Sequence, residues 1–445
     1  MKIFIQLIIV TAIFSLLTTA KAQNSWVKHP TPVLTRSATF PNWKGLATGD
    51  AFVMKDADTL KMWYSGVGWL SASDDCPHVR MGYAWSLDGI NWNEDLNNPV
   101  LDISSDSANF DYDGIETPTV IKDSTAPANQ RYKLWYAGRK SRCSPIMDHK
   151  FGYAYSPDGI IWTKYSGNPV LVAGNNSSWY NTFVSSPSVL LEGGVYKMWF
   201  TAADLVINSQ PTDGKGNIGH ATSTDGINWT VYPAPVLIAG DQANWDAASI
   251  AEPSVLKVGS TYHMFYSALD QWTVENFQVG YASSTDGINW IKSTQNPVLQ
   301  IGNNIQWDRF WASHPGVIYE PSVNKFKMWY TGRDTANISS LIGHYWDIGY
   351  AESNFITGIN EPLNTNYSMT IYPNPAQDRL KIKLLFDVTN GEIKLYNQLG
   401  QIKKIISNIN NNEIIIEALD LPNGVYFIVM QCGDKTLSRK FVISI

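Results

Sequence analysis

The chain has 445 residues, room for more than one domain; 44% of them are hydrophobic and only 16% charged, where about 25% is usual. A net charge of −6 with no basic cluster argues against a nucleic-acid or anionic-membrane partner. Three cysteines cannot make a disulfide scaffold, so the fold has to rest on its core.

The first 22 residues carry Lys2, an apolar run from Ile3 to about Leu17, and Ala20-Lys21-Ala22. This is the pattern of a secretory signal with an A-x-A cleavage site. The run is too short and too early for a membrane anchor, and no cysteine follows the site to accept a lipid. The mature chain is expected to begin near Gln23 and to reach the cell surface or the medium through the periplasm.

From there to Ser353 one pattern recurs. Val279-Gly-Tyr-Ala-Ser-Ser-Thr-Asp-Gly-Ile-Asn-Trp290 has near copies at Met81 to Trp92, Phe151 to Trp162 and Ile218 to Trp229, and a truncated one at Ile348. Alternating small and aromatic residues read as a strand, and Asp-Gly as a tight hairpin turn. Upstream of each lies a second strand, such as Lys61-Met-Trp-Tyr-Ser-Gly66 or Lys327-Met-Trp-Tyr-Thr-Gly332. A third lies upstream again, such as Glu252-Pro-Ser-Val-Leu256. Five four-stranded units about 60–70 residues apart predict a five-bladed β-propeller over residues 23–353. The fifth unit lacks its outer strand, and Trp26 to Leu34 resembles the piece that is missing, Trp229 to Leu237. The N-terminal segment is therefore expected to complete the last blade.

Residues 354–368 read as a polar linker. Residues 369–445 carry short alternating strands, such as Leu380 to Leu384 and Val425 to Met430, which predict a small immunoglobulin-like β-sandwich. The fold class is thus all-β, in two domains.

Inner strands of a propeller line its axis, so equivalent positions of the five units meet in a ring. The residue before the Pro-(Ser/Thr/Gly)-Val pattern is Asp50, Thr117, Ser186, Glu252 and His314, with Ala51 in place of the proline in the first unit. Two carboxylates and a histidine are predicted to converge there. Paired carboxylates are the minimal equipment for hydrolysing a glycosidic bond. Glu116 is one residue out of register and is expected to point away from the axis. Arg139 and Arg333, each after a glycine at the end of a second strand, are candidates for binding substrate, as are Ser186, Glu116, Asp204 and Asp270 around the cleft. Cys76 and Cys143 lie in neighbouring loops on one face and are expected to pair. Asp88, Asp158, Asp225 and Asp286 recur with the hairpin turn and read as structural.

Two stretches carry family resemblances. Tyr372-Pro-Asn-Pro-Ala376, Leu395-Tyr-Asn-Gln-Leu-Gly400 and Leu421-Pro-Asn-Gly-Val-Tyr426 resemble the type A C-terminal sorting domain of the type IX secretion system. That implies secretion machinery as a partner and removal of the domain on export. The repeat from about Asp50 to Ser353 resembles the five-bladed glycosidases of families 43, 32 and 130. The resemblance to family 43 implies that Asp50 is the general base and Glu252 the general acid. It also places His314 beside a bound metal or water, so that a structural calcium at the axis is implied although no cofactor is required. The third-blade aspartate of that family is Ser186 here, unless Glu116, Asp204 or Asp270 takes its part. The implied function is a secreted, monomeric glycoside hydrolase acting on polysaccharide side chains or oligosaccharides. The alternative is a propeller that binds glycans without catalysis.

Overall fold

A computed structural model describes residues 26–69, 71–74, 76–140, 148–175, 178–203, 206–207, 210–211, 215–241, 243–271, 276–303, 305–334, 346–354, 368–417, 421–433 and 435–444. The first 22 residues, Cys143 and Asp204 lie outside these, and with them the readings made there. Cys76 is disulfide-bonded, while the buried Cys432 is free.

Each of the five units is an antiparallel meander. The inner strands are Ala47–Asp56, Gly114–Lys122, Phe183–Glu192, Ser249–Val258 and Trp311–Glu320. Each pairs with a second strand (Thr59–Gly68 in blade one), which pairs with a third (His78–Ser86), which ends in a short outer strand (Asn93–Glu94). In blade five the outer strand comes from the other end of the propeller. Val27 and Lys28 pair with Glu352 and Ala351, and Leu34 bridges to Ile348. Lys28 adds a salt bridge to Asp308 at 2.5 Å. The ring is closed by backbone hydrogen bonds, as the split repeat implied.

The aromatic content is explained by how blades lock together. Trp63, Trp135, Trp199 and Trp329 are all fully buried. Each indole Nε1 donates to the glycine carbonyl of the next hairpin turn: Gly159, Gly226, Gly287 and Gly89, at 2.7–2.8 Å. Those glycines have φ of 77–84°, a region that disfavours other residues. A Cβ on Gly89 would also stand 2.8 Å from Trp329. Blade four has Phe265 at this place. Its neighbour, blade five, has no Asp-Gly turn to offer a carbonyl, and Trp26 packs edge-on against the phenyl ring instead.

The aspartates of the turns are structural, as read. Asp88 Oδ1 accepts the amides of Ile90 and Asn91 at 2.8 Å and the Ser86 hydroxyl at 3.0 Å. Those bonds, the Asn91 amide foremost, hold its carboxyl far below the usual range.

The C-terminal domain is a sandwich of a three-stranded and a four-stranded sheet around its own core, which includes Leu380, Ile393, Leu395, Ile428 and Phe441. The last propeller strand ends at Asn354, and the first strand of this domain begins at Met369.

Candidate active site at the propeller axis

The five inner strands break register at the same place. Pairing skips from Gly49 to Phe52, Glu116 to Thr119, Ser185 to Ser188, Ala251 to Ser254 and Ser313 to Gly316. The first residue of every bulge is the predicted ring residue, and all five have positive φ: Asp50 53°, Thr117 51°, Ser186 53°, Glu252 58° and His314 46°. None is glycine, and four precede proline, which further disfavours compact backbone. Such conformations cost on the order of 1–3 kcal/mol each and persist only where the surroundings impose them. Here the strained residues form one cavity at the axis, bounded also by Pro118, Pro187, Pro253 and Pro315.

In four of the five blades the amide of the strained residue is held by a hydroxyl of the adjacent blade. The amide of Asp50 donates to Thr331 Oγ1 (3.0 Å), Thr117 to Ser65 Oγ (3.2 Å), Glu252 to Thr201 Oγ1 (2.7 Å) and His314 to Ser267 Oγ (2.9 Å). These are the third residues of the Trp-Tyr-Ser and Trp-Tyr-Thr runs, or of their Trp-Phe-Thr and Phe-Tyr-Ser variants, in the second strands. A packing motif therefore also carries the site. Blade two has Ala137 there, so nothing of the kind reaches Ser186. Thr201→Val should lower stability by about 1–2 kcal/mol by stranding a buried amide. Ala137→Ser should raise the thermal midpoint by supplying the missing acceptor. Calorimetric scans of both variants check this, and a lowered midpoint in Ala137→Ser would count against the lock.

The charged side of the ring is a connected trio. His314 Nε2 lies 2.8 Å from Glu252 Oε1 and 3.2 Å from Asp50 Oδ1. Glu252 Oε2 also accepts the His314 amide at 3.0 Å, while Nδ1 faces Ser313 Oγ at 3.2 Å. Burial works against charge on His314, but Asp50 and Glu252 outweigh it and hold the imidazole at about 9. It is therefore a cation at neutral pH. Burial pushes the Asp50 carboxyl up, opposed by His314 and reinforced by Glu116. Asp50 nonetheless faces the imidazole at ion-pair distance and is one of the two carboxylates whose charge holds it protonated.

The charge of Glu116 acts on both Asp50 and His314, although Glu116 is not among the residues that line the cavity. It is held by His149 Nε2 at 2.5 Å, with Arg139 Nη1 at 3.9 Å. His149 was not singled out in the sequence, where no repeat position marks it. Arg333 is buried, stacked 4.0 Å over Trp311, and Asp270 is exposed. Ser186 lines the cavity opposite the trio, its hydroxyl 3.2 Å from that of Ser185.

A calcium does not fit the residues as arranged. The place between the two carboxylates is taken by the imidazole, a cation itself, whereas calcium takes six to eight oxygens. Among the described residues no group of three or more His, Cys, Asp or Glu side chains is arranged so that it could hold a metal ion.

Residues 370–444 match the secretion system C-terminal sorting domain, which marks the chain for export to the surface or the medium. A β-1,2-mannobiose phosphorylase of Thermoanaerobacter sp. (strain X514) is 26% identical over 134 residues, 29% of this chain and 44% of that one. The chain spans less than half the length of the curated relatives it matches. A glycoside hydrolase structure superposes with a TM-score of 0.57 at 17% identity, over 74% of this chain and 92% of that one. Another comes from work on family 130 hydrolases that target β-1,2 mannosidic linkages in Candida mannan. It superposes at 0.55 with 16% identity, over 75% and 95%. At such identities these structures establish the propeller fold.

Proposed function

We propose that the protein is an exported glycoside hydrolase acting on polysaccharide side chains or oligosaccharides, with Asp50 and Glu252 sharing the acid and base work. The carrying observation is the trio: two carboxylates fixed on one imidazole at the mouth of a propeller axis, on backbone that is strained in every blade. Oxygens this close to one nitrogen lie at most about 6 Å apart, on the short side of the range for carboxylate pairs in glycosidases. The two carboxyl groups that line the cavity also suit the positive charge that develops at the anomeric carbon. Proteins of this fold that act on mannosides by hydrolysis or phosphorolysis support the same chemistry.

A second reading, glycan binding without catalysis, is favoured by one feature. While His314 bridges the carboxylates, no sugar can lie between them. The deciding experiment is a screen of the purified chain on arabinosides, xylosides, galactosides, mannosides and fructans, with and without inorganic phosphate, alongside calorimetric titration. Release of sugar without phosphate supports hydrolysis, and release only with phosphate replaces it by phosphorolysis. Binding with no release supports the second reading.

A further inference from the structure

The repeat supplies an internal control for its own surface. At the end of the hairpin motif, Trp92, Trp162 and Trp229 are half-buried, whereas Trp290 in blade four is fully buried. Asn289 is likewise less exposed than Asn91 and Asn228. What covers blade four is the C-terminal domain. Its last strand, Lys435–Ile443, adds to the blade's outer strand, with Trp290 opposite Thr436 and Ile291 opposite Lys435. The Ser438 amide donates to Asn289 Oδ1 at 2.8 Å, and its hydroxyl lies 2.9 Å from Tyr232 Oη.

The contact extends onto blade three. Val425 to Met430 is an unbroken apolar run, the mark of a strand buried on both faces. Tyr426, Ile428 and Met430 fill the sandwich's own core. Phe427, Val429 and Tyr396 face the other way and join a cluster with Trp179 and Ala234 of the propeller. Phe427 stands edge-on to Tyr232 at 5.2 Å. Gly400, at φ 73°, passes so close that a Cβ would be 3.2 Å from the Pro233 carbonyl. Strand addition plus an aromatic anchor is a recurring mode of recognition.

We propose that the sorting domain carries a strand-and-aromatic recognition face that is occupied, within the same molecule, by the edge of blade four and the flank of blade three. Whatever reads the domain through this face must first displace the propeller, and the propeller's exposed edge is protected from pairing with other chains for as long as the domain stays docked.

Hydrogen exchange on the full-length chain tests this. Trp290–Lys292 should exchange on the order of 10-fold or more slowly than the outer strands Asn93–Glu94, Thr163–Lys164 and Thr230–Val231. Phe427→Asp/Val429→Asp should bring it to their rate. Tyr232→Asp, which leaves the C-terminal core untouched, should do the same while Ile393 and Ile428 stay protected. Equal exchange in all four outer strands of the wild type overturns the proposal. So does unaltered protection in Tyr232→Asp, or a protection that grows with protein concentration, which would place the occupant on a second copy.

Discussion

Glu252→Gln and Asp50→Asn should each lower turnover on the responsive glycoside by on the order of 10²-fold or more, the usual cost of losing a proton-transfer group. Both substitutions keep the shape of the side chain, and Glu252→Gln keeps an oxygen to accept the His314 amide, so the ring should stay folded. The roles are read from pH profiles. The variant that loses the alkaline limb of the bell identifies the acid. In the wild type, activity should fall as pH rises through about 9, where His314 loses its proton and two carboxylates are left facing a neutral ring. The sign follows from the shift: a raised histidine is charged below its folded value and loses the ion pairs above it. Steady-state kinetics from pH 4 to about 10 on wild type, both single variants and His314→Gln measure all of this. A double variant with full activity would place the chemistry elsewhere.

The largest loss of stability is expected from Trp199→Ala. The side chain is fully buried between blades three and four, and truncating a core tryptophan costs about 3–5 kcal/mol. Trp199→Phe should cost only about 1 kcal/mol, because the Gly287 carbonyl also accepts Trp290 Nε1, at 3.0 Å. Phe265→Trp, by contrast, should destabilise. It would bury an indole N–H opposite blade five, where no hairpin glycine offers a carbonyl, and would crowd Trp26. Thermal midpoints of the three variants give the order, and a neutral Trp199→Ala would dispose of the interlock.

Much of the architecture was legible in the chain because the propeller writes it five times. The equivalent position in each inner strand, before proline in four units and before Ala51 in the first, picked out Asp50, Glu252 and His314 as neighbours, although Asp50 and His314 stand at opposite ends of the repeat. The pairing of Glu116 with His149 was not legible, since His149 stood outside any recurring motif. The hydroxyls of Ser65, Thr201, Ser267 and Thr331 were in view as part of a strand pattern, but their bond reaches into the next blade, and only the assembled ring shows it. The docking of the C-terminal domain left a trace in the two-faced run around Phe427, which as a linear pattern is equally consistent with a deeply buried strand of the sandwich itself.

Closure by Val27 and Lys28 has a consequence for how the molecule is made. These residues are synthesised first, yet their partners, Ala351 and Glu352, come last, so the longest-range contact in the propeller has to wait for the whole of it. The entropy of joining such distant segments grows only slowly with their separation, but the search for them slows folding. A linear array of repeats tolerates loss of its final unit, because each unit leans only on its neighbours. A circle has no final unit: a chain cut short before Glu352 would leave an orphaned first strand and two uncovered blade flanks, and would be a substrate for quality control, not a smaller propeller.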